Sequence, residues 1–292
     1  MDGTNISWTD ATLNALEGCR EISAGCDHCY AASVALRFGK PGMHYAGLAA
    51  PDGDGGAKWT GAIRMHPEKL ELPLRWQRPR RIFVNSMSDL FYAPVPVGFV
   101  DRHFATFALA QRHTFQILTK RPDRMARYLN DPETPRRLVA HARNIFAEQS
   151  AARKNALRVV GEPIIYVPSW PLPNVWVGTS IENADAYHRA AYINECPAAV
   201  RFVSAEPLIG PVNLDGWLGE HAIGWVIVGG ESGPQHRPMD LDWARSLRDQ
   251  CAAVGVPFFY KQGGGFKPGT DATLDGIEHH AFPKVEQMIG VA

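Results

Sequence analysis

The sequence predicts an α/β protein, a complete or partial (β/α) TIM-type barrel over residues 1–265 with a helical insertion at about 131–172, followed by a C-terminal tail over 266–292. Short runs of branched and aromatic residues end abruptly in polar residues or glycine, helical patterns lie between them, and most runs are continuous rather than alternating. Continuous runs are how strands buried on both faces look, and strand alternating with helix means a parallel sheet.

From the N terminus, a first strand is expected near Ile6–Trp8. Then come IFVN at 82–85, FQIL at 115–118, VWV at 175–177, RFVS at 201–204, WVIV at 225–228 and PFFY at 257–260. About seven strands suffice for a complete or nearly complete barrel; an open doubly wound sheet is the other arrangement. Val100, Phe104 and Phe107 form an apolar stripe at i, i+4 and i+7, and Trp243, Leu247, Cys251 and Val254 share one face of a later helix. Two segments break the rhythm. The glycine-rich stretch 39–61 is too long for a simple turn and reads as a lid or a disordered segment. The stretch 131–172 carries a basic helical pattern and returns through Pro168, Pro171 and Pro173. Beyond Gly265 periodicity fades, and a partly mobile tail is expected.

The composition, 45% hydrophobic and 21% charged, is that of a soluble globular chain. Lys and Arg total 30, as do Asp and Glu, so no overall positive field draws the chain to nucleic acid or anionic lipid; any polyanion contact is local. The sequence starts with no basic region followed by an apolar core, and no apolar run is long enough to cross a bilayer. A cytoplasmic protein with no membrane partner is expected.

Three of the five cysteines fall within eleven residues, which fits a metal site in a reducing compartment better than a disulfide framework. Cys19, Cys26 and Cys29 stand in a C-x6-C-x2-C spacing just after the presumed first strand, whereas Cys196 reads as a loop thiol and Cys251 as a core thiol. The trio admits two readings. With His28 or a distant histidine it would close a tetrahedral zinc shell. As an N-terminal iron–sulfur loop it would hold a [4Fe–4S] cluster and leave one iron open to a small chelating substrate, because such a cube normally takes four cysteines.

The loop GCREISAGCDHCY resembles that of the radical S-adenosylmethionine superfamily, whose commonest spacing is C-x3-C-x2-C with an aromatic residue beside the last cysteine. Tyr30 reproduces the aromatic residue; the first gap is longer. The whole chain is similar to a bacteriophage-associated family of three-cysteine-motif proteins, through WTDATLN, GCxxxSxGCxxCYA, RRIFVNSMSDLF, FQILTKRPDRM, NVWVGTSIEN, VRFVSAEPLIGP, WVIVGGESG and PFFYKQ. The resemblance implies an enzyme with a [4Fe–4S] cluster and S-adenosyl-L-methionine as cofactors. It implies reductive cleavage of the latter to a 5′-deoxyadenosyl radical, hydrogen abstraction from a substrate, and a reductant such as flavodoxin or ferredoxin as partner.

In a (β/α) barrel the catalytic groups sit where strands end. Here those positions carry Asn85, Ser86, Ser88 and Asp89; Thr119, Lys120 and Arg121; Thr179, Ser180, Glu182 and Asn183; Ser204 and Glu206; Glu231 and Ser232; and Lys261 and Gln262. Any one of them reads as a cap, a turn former or an ion-pair member. Their recurrence at successive strand ends points to a common mouth. The resemblance implies that the Ser86, Ser88 and Asp89 group receives the cofactor's ammonium, Lys120 or Arg121 its carboxylate, and Ser180 with Asn183 its ribose, with Tyr30 and Glu182 in the same binding set. Glu206, Glu231 and Lys261 are the candidate catalytic residues facing the substrate, or else a charge pair across the mouth. The GGES at 229–232 resembles the superfamily's GGE element but follows a late strand, so that role is not transferred to it.

For the substrate, Arg136, Arg137, His141, Arg143, Arg153, Lys154 and Arg158, with Glu148 the only acid among them, form either a phosphate-binding face or the solvated side of a helix. Trp59, Trp76, Tyr45 and Tyr92 are candidates for stacking on bases. The expected substrate is a nucleobase or modified nucleotide in nucleic acid, reached through Arg136–Arg158. The alternatives are a small metabolite or peptide, or a non-catalytic zinc protein that binds nucleic acid.

Overall fold

Seven strands follow one another across a single sheet in chain order: β1 Ala11–Leu13, β2 Arg81–Val84, β3 Thr114–Thr119, β4 Val175–Ser180, β5 Val200–Ala205, β6 Ile223–Gly229 and β7 Phe258–Gln262. The computed structural model describes residues 4–151, 154, 158–159, 162–163 and 170–284. Every neighbouring pair is parallel. A doubly wound sheet would reverse its strand order at a switch point, and this one does not. Among the described residues β1 and β7 do not pair, so the barrel is partial.

Ring distances show how far the sheet curls. Laid flat, β1 and β6 would stand five strand spacings apart, roughly 24 Å. Yet the ring of Trp8, three residues before β1, lies 6.3 Å from that of Trp225 on β6 and 6.4 Å from that of Phe202 on β5. The two-residue repeat of the strands aims Phe83, Trp176, Phe202, Trp225 and Phe259 into this concave floor. Ile82, Val84, Phe115, Ile117, Val177, Val226 and Val228 face outward into the larger core beneath the helices. The first strand is therefore not at Ile6–Trp8: Trp8 plugs the floor, and the ladder with β2 begins at Ala11.

Gly178 faces the same interior, where an added Cβ would come 2.4 Å from the ring of Phe202. That ring is fully buried and walled by other aromatics, so it cannot move aside. Gly178→Ala is expected to lower stability by about 1–3 kcal/mol, the usual cost of overpacking, read as a fall in urea midpoint at unchanged slope.

Helices α1 Tyr30–Arg37, α2 Val97–Leu109, α3 Pro122–Asn130, α4 Thr134–Glu148, α5 His188–Glu195 and α6 Leu241–Val254 complete the described helical layer. The stripe of Val100, Phe104 and Phe107 is buried, as are Leu247 and Cys251; Val254, at the last position of α6, is exposed. Among the described residues no helix is long and apolar enough to cross a membrane.

Three segments differ from expectation. The 39–61 stretch contains a short antiparallel pair, Ala49–Pro51 with Ala57–Trp59, and its Leu48, Ala57 and Trp59 pack on Ala31, Ala32 and Ala35 of α1. Within 131–172, α4 buries Leu138, Ala142, Ile145 and Phe146 in the same core as α2 and so belongs to the outer layer; Pro168 lies outside the described residues. The tail, aperiodic as it is, is seated as far as Phe282. Tyr260 donates its backbone N–H to His279 (2.8 Å), Trp225 donates its indole N–H to Ala281 O (2.9 Å), and Phe282 packs 5.3 Å from both Trp225 and Phe259. The aromatic floor and the edge of β7 supply a surface that periodicity within the tail could not reveal.

Candidate metal centre

Parallel strands deliver all their C-terminal ends to one side, and there the cysteine loop is held. It leaves the short strand Leu16–Glu17, carries Cys19, turns through Ala24–Cys26 and reaches Cys29, the N-cap of α1. Three strand ends grip it.

After β3, Arg121 donates to the backbone oxygen of Arg20 (2.7 Å) and to Asp89 (2.8 Å), lies 4.0 Å from Cys19 Sγ and stacks on Tyr92. Buried Asp89 also accepts from Thr119 Oγ1 (2.7 Å) and from the backbone N–H groups of Phe91 (2.9 Å) and Lys120 (3.2 Å). Its oxygens are thus occupied by the protein itself. After β4, buried Glu182 accepts from Ser23 Oγ (2.9 Å) and Arg189 (3.0 Å) and pairs with Lys120. Gly25 passes so close to Glu182 that a Cβ would sit 2.4 Å from its side chain. After β6, Glu231 contacts His28 Nδ1 (2.9 Å) and accepts three times from Arg237, from its backbone N–H (2.8 Å) and its guanidinium (2.7 and 3.0 Å); Arg237 in turn reaches Ala24 O (2.9 Å) and Asp27 (3.2 Å).

The charges are consistent with these grips. Burial alone would raise the pKa of Glu182, but Lys120 and Arg189 bring it below the usual carboxylate value; Arg237 and His28 do the same for Glu231. Burial likewise disfavours the charge of Arg121, and Asp89 and Cys19 more than restore it.

Burial pushes the Cys19 thiol up to about 12, with Asp89 adding and Arg121 opposing. Cys29 is raised too, against the favourable backbone N–H groups of Ala32 and Ala31 and the Trp59 indole. Both are neutral thiols until a cation takes the thiolate. The three sulfurs are not all within 4.8 Å of one another. A tetrahedral zinc shell, with Zn–S near 2.3 Å, would gather them to about 3.8 Å apart. A cube that bonds each sulfur to a different iron spreads them further. Three cysteine donors suit a cluster, or a zinc ion that gathers them and takes a fourth ligand.

The other expected residues divide. Tyr30 donates to Ser86 O (3.0 Å), and Asn14 holds both Ser86 Oγ (3.0 Å) and the Ser86 N–H (2.8 Å). Ser88 donates to Leu16 O (2.8 Å), and Asn183 accepts the N–H of Asp185 (3.1 Å) as a helix cap. Ser180 is buried on the inner face, and Ser204 donates to Glu206 (3.0 Å). Glu206 and Lys261 form the charge pair across the mouth, at 2.7 Å. Cys196 and Cys251 are buried far along the chain from the loop.

Asn14 and Arg237 were missed as site residues, and Asn85, named among the strand-end residues, was given no role. Asn85 stands at a positive φ of 83°, is buried, and neither amide atom has a partner among the described residues. Both amide atoms are thus free to meet a water or a ligand beside the strand end. The sequence signal was present, since Asn85 directly follows IFV. Arg237 lies in a loop with no such marker.

The first two arginines of the basic stretch are paired with acids. Arg136 pairs with Glu133 (2.8 Å), and Arg137 with Asp101 (2.9 Å) and Asp131 (2.8 Å). Lys154 lies 5.9 Å from the ring of Phe146, Arg143 is exposed, and Arg153 lies outside the described residues. Trp59 and Tyr92 are buried, Trp76 lies under Arg80, and Tyr45 is half-buried.

Residues 3–283 match the family model described as Protein of unknown function (DUF5131). No curated protein and no solved structure matches the chain.

Proposed function

For this chain, which belongs to the DUF5131 family of proteins of unknown function, we propose radical S-adenosylmethionine chemistry, with Cys19, Cys26 and Cys29 as ligands of a [4Fe–4S] cluster. One observation carries the reading. Three ends of a partial parallel barrel commit their buried charges to a single three-cysteine loop, on the side where such barrels hold reacting groups.

Cys19, Cys26 and Cys29 would hold the cluster, which when bound would supply the electron for reductive cleavage of S-adenosylmethionine and hence hydrogen abstraction from a substrate. The chain's own residues orient and shield. Arg121 offsets thiolate charge at Cys19, and the α1 N-terminus does so at Cys29. The Asn85 amide and the Ser180 hydroxyl are offered to the cofactor's polar groups. Asp89, Glu182 and Glu231, expected to touch cofactor or substrate, also support the loop, Asp89 through Arg121 and the two glutamates directly. A reductant such as flavodoxin or ferredoxin would approach the loop at exposed Ile22 and Tyr30. Free thiols and an oxygen-sensitive cluster suit a cytoplasmic setting.

The pairing of Arg136 and Arg137 with acids favours a substrate taken at the mouth, between Glu206–Lys261 and the loop, over a polyanion laid along α4. That substrate is a small metabolite, a peptide, or a single nucleobase presented to the mouth.

Anaerobically reconstituted protein, given S-adenosylmethionine and dithionite, is expected to be brown and to release 5′-deoxyadenosine and methionine. A colourless protein carrying one zinc per chain and releasing neither product would overturn the reading.

A further inference from the structure

Below the cysteine loop, a buried carboxylate faces two imidazoles that no role described so far employs. Glu17 closes the strand Leu16–Glu17 with its side chain 1% exposed. His66 Nε2 stands 3.0 Å from one carboxylate oxygen and His44 Nε2 2.6 Å from the other, and the two rings stack with centroids 5.6 Å apart at 14°. The three donor atoms all lie within 4.8 Å of one another. Lys69 Nζ approaches the His44 side of the carboxylate at 3.2 Å.

The decisive detail is the contact with His66. Its Nε2 and the facing Glu17 Oε2 are both buried, yet neither makes a hydrogen bond to the other or to anything else among the described residues. With all three donor atoms within 4.8 Å and no aligned hydrogen bond between His66 and Glu17, the group is arranged so that an ion could share it. Ligands held 2.0–2.2 Å from one tetrahedral ion stand roughly 3.3–3.6 Å apart, a small adjustment from 3.0 Å. On the other side His44 is half exposed, which gives an ion an entry path and leaves room for water.

We propose that Glu17, His44 and His66 form a second metal site, for a divalent first-row transition ion such as zinc. Two imidazoles and one carboxylate suit such an ion better than calcium or magnesium, which prefer all-oxygen shells. The ion would displace the His44–Glu17 hydrogen bond and compete with the Lys69 ammonium for the carboxylate. Because Glu17 lies two residues before Cys19, and His44 lies in the segment that packs on α1, the ion would tie the base of the cysteine loop to that segment.

The test uses full-length protein and Co2+ as the probe. With Cys19, Cys26 and Cys29 all replaced by Ser, the protein is expected to bind one Co2+ with visible d–d bands and no thiolate-to-cobalt charge-transfer band. In that background His44→Ala and His66→Ala should each weaken binding at least about tenfold, the lower end of the loss seen even when outer-shell partners of ligands are removed. Lys69→Met should tighten it. Should His66→Ala fail to fold, His44→Ala decides, since that ring is half exposed. Absence of binding in the cysteine-free protein, unchanged affinity in His44→Ala, or weaker binding in Lys69→Met would show the cluster to be only a buried ion network. A missing iron–sulfur cluster would leave this site untouched, so the two ideas fail separately.

Discussion

Replacing Cys19, Cys26 or Cys29 by alanine is expected to abolish iron and sulfide binding, in a protein that otherwise takes up about four of each per chain. A cube needs a thiolate on each of three irons, and the chain's other two cysteines lie on other elements. Cys196 closes α5 with its thiol against Tyr192 O (3.3 Å), and Cys251 is buried in α6. Burial pushes both thiols up to about 12, as it does Cys19, so position rather than acidity sets them apart: they sit on α5 and α6 and not in the loop. Cys196→Ala and Cys251→Ala should therefore keep the full iron complement and the same visible spectrum. Iron loss of equal size in those two would overturn the ligand assignment.

The second large effect is expected at Asp89, as a loss of fold rather than of affinity. Asp89→Ala would leave the Arg121 guanidinium buried without its counter-ion and strip Thr119 Oγ1 and the N–H groups of Phe91 and Lys120 of their acceptor. Breaking a buried ion pair from one side costs about 3–5 kcal/mol, because the charge left behind has lost both water and partner. Urea unfolding of the metal-free protein measures it directly. A carboxylate that merely received a cofactor ammonium would leave the urea midpoint unchanged, and that result would restore Asp89 to the binding set.

The strands were legible where their chemistry is redundant. Apart from half-buried Leu118 and Arg201, the residues of IFV, FQIL, VWV, RFV, WVIV and FFY are buried on both faces, so nearly every one reports the environment. Ala11–Leu13 is not legible in that way, because three short residues carry less signal than the nearby Trp8, whose bulk belongs to the floor. The misplacement had a further effect: Asn14, the residue ending the true first strand, went unnoticed beside its strand-end counterparts. The strand-end residues were legible as a set, but their partners were not. Nothing near Glu182 announces Ser23, and nothing near Glu231 announces His28. A carboxylate that grips a loop and one that grips a ligand are the same letter in a sequence. His44 and His66 escaped for a related reason, since they meet at Glu17 only after the glycine-rich segment has folded back on α1.

The three grips on the cysteine loop also bear on when it takes shape. Ser23 waits for Glu182, 159 residues later, His28 for Glu231, 203 residues later, and Ala24 O for Arg237, 213 residues later. Contacts so distant in the chain carry the largest closure entropy and form late. On a growing chain the thiols emerge first, and the framework that positions them is complete only after β6 has joined the sheet. If the loop holds a metal as proposed, it would be an open chelator until then, and correct loading would follow the docking of the last strands.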